Sequence, residues 1–144
     1  MRTQPGRRRN APALSYDQLL ERIRYDGAYP TRERAEQVTR TVLAALGSQL
    51  AGDTRAELAA QLPVEAARAL HSEAPAAQPL TGWGFVQDLA ARTGVTPAVA
   101  RWNTGAVLST VACLADPDLL GRILDELPSG YALLFGRAEL VQAA

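Results

Sequence analysis

With 144 residues, 47% of them apolar, the chain is long enough to bury about two thirds of its unfolded surface as one domain without covalent staples. Its single cysteine excludes an intrachain disulfide, and 27 alanines against eight aromatic residues favour closely packed helices over strands. Fifteen arginines balance fifteen acids with no lysine, and four arginines in the first fourteen residues leave eleven against fifteen acids, a net charge of −4, for the mildly acidic remainder.

Residues 1–14 mix Arg, Pro, Gly, Asn and Ala without periodicity and read as a disordered basic arm. The arginines resemble the start of an export signal, but Ala-Pro and a charged amphipathic stretch follow where a cleavable apolar segment is required. A cytoplasmic location is therefore expected. Ser15 caps a helix expected over about 16–25, with Tyr16, Leu19, Leu20 and Ile23 at helical spacing. "DGAYP" breaks it, and Thr31 caps a long helix over about 32–50 whose apolar stripe is Ala35, Val38, Val42, Ala45, Leu46 and Leu50. Gly52 suits a left-handed stop, and Asp53 is the expected cap of a third helix reaching Leu62. Pro63 has no amide proton and disfavours helical geometry at Leu62, so the phrase is a corner, with Pro63 opening a short helix over Val64 to Leu70. "SEAPAAQPL" then reads as a linker at 72–80.

The same order follows again. Thr81 caps a helix of about 82–92 carrying Trp83, Phe85, Val86 and Leu89; Thr96-Pro97 starts a long helix, Asp116-Pro117 a third, and Leu127-Pro128 makes a second corner before Tyr131 to Phe135. Residues 35–70 laid on 100–135 without a gap give eight identities in 36, among them Thr39 with Thr104 and Leu62-Pro63 with Leu127-Pro128. The expected fold is all-α: two similar three-to-four-helix repeats, 15–71 and 81–136, packed into one helical bundle, with a tail at 137–144. Between Gly94 and Ala115 the only charge is Arg101, whereas five charges lie between Arg32 and Arg40. A helix with so little wet face is expected to be the central one, or to present a partner surface around Trp102. Thr96, Arg101, Asn103, Thr104, Gly105, Ser109 and Thr110 make it too polar for a membrane.

The catalytic inventory is thin. Cys113, between Ala112 and Leu114, reads as a buried small hydrophobe, and His71 stands apart from it in the chain. One His and one Cys do not make a zinc set; Asp116 with Asp118 and Asp125 with Glu126 read as caps and a wet helix face. "GWG" at 82–84 lacks the spacing and preceding strand of a phosphate loop. Catalytic residues, cofactor and metal are all expected to be none. Val42 to Leu62 has the outline of a helix-turn-helix, but its second helix sets Arg55 and Gln61 beside Glu57, and the equivalent helix sets Arg122 among four acids, which phosphate would repel.

Three phrases also resemble a known family: "YDQLLERI", "AEQVTRTVLAALGSQL", and an Asp-started helix ending in "QLP". The pattern is similar to the bacterial family catalogued as domain of unknown function 2267, over about residues 15–136, carried mainly by Glu36, Thr39, Val42, Leu43, Leu46, Leu50, Gln61, Leu62 and Pro63. Trp102, Asn103 and Gly105 depart from the family's alternation of charged and apolar residues. The resemblance implies an all-helical bacterial protein of two similar halves and no established reaction. The function expected from these observations is a non-enzymatic helical interaction or scaffold domain. Its protein partner, or second copy, would meet Trp102, Val99 and Leu108. The alternative is weak, salt-sensitive nucleic-acid association through Arg7, Arg8 and Arg9.

Overall fold

A computed structural model describes residues 14–137, and the expectations for the arm with Arg7, Arg8 and Arg9 and for the tail beyond residue 137 lie outside that range. The described residues form eight α-helices and no strand: α1 (Tyr16–Gly27), α2 (Arg32–Gln49), α3 (Gly52–Ala60), α4 (Val64–Leu70), α5 (Gly82–Thr93), α6 (Pro97–Leu114), α7 (Pro117–Glu126) and α8 (Tyr131–Leu134).

Four of the expected caps form. Ser15 Oγ accepts from the Gln18 amide while Gln18 Oε1 accepts from the Ser15 amide, a reciprocal box that satisfies two free donors. Thr31, Thr81 and Thr96 each accept from the backbone three residues on. The third helix of the chain departs from expectation. Gly52 is helical, not left-handed, and Asp53 bonds only the adjacent Thr54 amide. The cap residue is Ala51, which has no side chain to spare, and its amide donates instead to Glu126 Oε2 from the far end of α7, at 2.8 Å. The other oxygen of Glu126 accepts from the buried Thr54 hydroxyl at 2.6 Å. Asp116 likewise makes no side-chain cap; its amide donates to Gln61 Oε1 at the end of α3. These contacts are reciprocal, because Ala51 and Asp116, and Gln61 and Glu126, stand at the 65-residue offset. So do Glu57 and Arg122, which pair at 2.5 Å across the same α3–α7 seam.

α2 and α6 cross at the middle of the bundle. α2 packs on α1, α4, α5 and α6, and α6 packs on α1, α2, α5 and α8. The expectation of a single central helix is corrected here: every residue of α2 from Val42 to Gly47 is buried, whereas α6 keeps Pro97 to Val99, Arg101, Trp102 and Cys113 exposed. All five charges of α2 lie in its first nine residues, and a count over the whole helix hid an uncharged second half. Fully enclosed leucines such as Leu43 and Leu46 contribute about 1.5–3 kcal/mol each by leaving water.

Both corners occur at the prolines. α3 ends at Ala60 with tightened bonds from the Gln61 and Leu62 amides to Leu58 and Ala59, and Pro63 stands just before α4 rather than as its first residue. The segment 72–80 is tied to the ends of α2 and α3. Ala76 N–H donates to Ser48 O, Leu80 N–H to Gln49 Oε1 and Arg55 Nη1 to Glu73 O, so this linker is held along the body.

Thr39 and Thr104 are both fully buried but differ in satisfaction. Thr39 Oγ1 donates to Ala35 O at 2.7 Å, whereas Thr104 Oγ1 has no partner. An unpaired buried hydroxyl costs about 1–3 kcal/mol. Thr104→Val keeps the branched shape and removes that cost, so it is expected to raise the melting temperature by about 3 °C, while Thr39→Val is expected to lower it slightly. A lower melting temperature for Thr104→Val in calorimetry would show that the hydroxyl is bonded in solution.

Candidate functional site

The last turn of α1 and the first half of α6 form the surface that the sequence singles out. Ala28 ends α1 in the left-handed conformation (φ 54°), an uncommon state for a residue with a side chain, and the chain reverses there toward α6. Two bonds then land on successive residues of α6. Trp102 Nε1–H donates to Gly27 O at 2.9 Å, and the Tyr29 hydroxyl donates to Asn103 Oδ1 at 2.6 Å. Burial pushes the Tyr29 hydroxyl up to about 12, the nearby Arg34 charge pulling the other way, so it is a protonated donor at neutral pH.

The indole is thus fixed at its polar edge while 57% of Trp102 remains exposed. A shallow groove beside it is lined by Asp26, Arg101, Gly105, Ala106 and Ser109. Gly105, Ala106 and Ser109 are small, which keeps the groove open, and the Arg101 guanidinium lies over Gly105, within 3.1 Å of where a Cβ would stand. Asp26 pairs with Arg22 at 3.3 Å, and Tyr25 stands out from the same turn at 79% exposure. A half-exposed aromatic ring beside a charged rim has the chemistry to bind another surface.

Of the three residues expected at an interface, Val99 joins Trp102 on the exposed side and Leu108 does not. Val99 is 42% exposed and Leu108 is fully buried. Three residues turn a helix about 60° short of a full circle, but six place Leu108 about 240° round from Trp102, on the core side. Cys113 also departs from expectation. It is exposed, on the stripe that continues Trp102, Gly105 and Ser109, with Sγ 3.8 Å from the Arg22 guanidinium. Trp83, expected among the apolar residues of α5, is exposed as well, at the first turn of that helix. Gly27 and Tyr29 were missed by sequence reasoning because their roles depend on where the reversal after α1 meets α6. The departure at Trp102-Asn103 from a charged and apolar alternation was the available signal.

Among the described residues no group of three His, Cys, Asp or Glu side chains converges, and no helix is long and apolar enough to cross a membrane. No curated protein matches the chain. A family model described as "Uncharacterized conserved protein (DUF2267)" matches residues 16–134, from the first residue of α1 to the last of α8, and the chain belongs to that family.

Proposed function

We propose that the protein is a non-enzymatic interaction domain that presents the Trp102 face to a protein partner or to a second copy of itself. The observation that carries this reading is the combination at Trp102 of a bonded indole N–H and a ring more than half exposed. Ordering a side chain on binding costs about 0.5–1.5 kcal/mol, and a tryptophan already held by its edge avoids most of that cost. Val99 and Tyr25 extend the apolar area, while Arg101 and Asp26 supply a charged rim that would set orientation. The reciprocal contacts along the α3–α7 seam support reading the chain as a duplicated unit, of which only the second half carries this tryptophan.

Trp102→Ala is expected to weaken association by about thirtyfold, as removal of a buried aromatic anchor does. Val99→Arg, which leaves the Gly27 bond intact, should weaken it by charge burial. Sedimentation of the purified protein and recovery of partners from host extract read both effects, with melting temperatures to check the fold. Self-association and partner recovery that match wild type in both variants would refute the reading.

A further inference from the structure

Asn103 also belongs to a second feature, built from three helices. A cleft of about 200 Å³ opens between α2 and the end of α5, lined by Arg34, Gln37, Thr41, Leu89, Thr93 and Asn103 over a floor of Val38 and Val42. We propose that this cleft binds a small organic acid whose carboxylate pairs with Arg34 and whose far end bears a carbonyl facing Asn103.

The lining contains one cation and no acid. Arg34 makes no ion pair among the described residues, in contrast to Arg22, Arg24, Arg32, Arg40, Arg92 and Arg122. One Nη of Arg34 donates to Gln37 Oε1 at 2.8 Å, which steadies the guanidinium and leaves further N–H groups for a carboxylate. Asn103 is 8% exposed, and among the described residues its one hydrogen bond uses the oxygen, so its amide NH₂ faces the cleft as a solvent-reached donor without a protein partner. An acceptor on the ligand satisfies it. The Thr41 and Thr93 hydroxyls already donate to Gln37 O and Leu89 O, which leaves them as acceptors and adds no competing donor. Between the polar ends, Val38, Val42 and Leu89 offer an apolar wall. The volume lies below the roughly 300–1,000 Å³ of drug-sized sites and suits a chain of a few carbons.

The test uses 4-oxopentanoate, pentanoate and pentan-2-one titrated into the full-length ¹⁵N-labelled protein, followed by backbone and Asn side-chain amide shifts. Saturable shifts at Arg34, Thr41 and the Asn103 side chain are expected for 4-oxopentanoate, weaker binding for pentanoate and none for the uncharged ketone. Arg34→Gln is expected to weaken 4-oxopentanoate at least tenfold, Thr93→Trp to block it by filling the rim, and Arg101→Gln, outside the cleft, to leave it unchanged. Absence of saturation with both acids, equal binding of the ketone, or retained affinity in both the Arg34 and Thr93 variants overturns the proposal. Because Trp102 is not part of the cleft, partner loss in Trp102→Ala and acid binding succeed or fail independently.

Discussion

Gly47→Ala is expected to destabilise the protein by about 3 kcal/mol or more, lowering its melting temperature by about 10 °C. Gly47 lies in the last turns of α2 where α4 crosses it, and a Cβ built there would overlap the Leu70 carbonyl oxygen and stand 2.8 Å from its carbon. Both obstructing atoms are backbone, so no side chain can swing aside. Relief requires α4 to lift, which uncovers Ala66 and Leu70, both fully buried. Alanine gains about 1 kcal/mol over glycine in a helix interior, so the steric cost has to exceed that before any loss is seen. Gly121→Ala is the matched control. Gly121 is inside α7 with open space where its Cβ would be, so the propensity gain stands alone and the melting temperature is expected to rise. Urea and thermal melts that show Gly47→Ala gaining stability like Gly121→Ala would mean that α4 does not seat on α2 as described.

Gly47 also shows where sequence reasoning stops. A glycine inside an apolar helix announces that something approaches closely, but only the fold says that the visitor is the end of α4. Start signals were readable because they are local: Ser15, Thr31, Thr81 and Thr96 act within three residues of themselves. Pro63 and Pro128 were readable for the same reason, since ring closure acts on the adjacent backbone. Asp53 misled because the helix starts two residues earlier than a cap there would allow: Ala51 is the cap, Asp53 lies inside the first turn, and the Arg55 amide already donates to Ala51 O. Leu108 and Cys113 misled because an almost uncharged helix offers no polar face from which to orient it. The Arg34 cleft was invisible for a further reason. Its cation, amide and apolar wall come from three helices, and no short stretch of sequence contains more than part of it.

Gly82→Ala is expected to cost about 2–4 kcal/mol through a second close approach, between the start of α5 and the corner after Pro128. Gly82 opens α5 and its amide donates to Ser129 O at 2.8 Å, while a Cβ on it would stand 2.6 Å from Gly130 C and 2.7 Å from Gly130 O. Gly130 itself has φ 99°, a conformation that other residues rarely adopt, so the corner after Pro128 has little freedom to retreat. Moving it displaces Tyr131, whose hydroxyl donates to Leu80 O at 3.0 Å and whose ring meets Phe85 edge-on at 5.6 Å. This gives the substitution a signature beyond its melting temperature. Burial raises the Tyr131 hydroxyl well above the ordinary tyrosine value, so the fold favours its neutral form. Such a group contributes stability that is fully present below about pH 10, the unfolded value, and is lost as the pH rises toward the folded one. Tyr16 and Tyr29, both pushed up to about 12 chiefly by burial, act in the same direction, so wild-type stability should fall steadily above pH 10. In Gly82→Ala the displaced Tyr131 no longer adds its share, and the fall with pH should be shallower than in wild type. A variant that is weaker at neutral pH yet keeps the full alkaline slope would place the damage elsewhere in α5 and leave the Gly82–Gly130 contact without the role assigned to it.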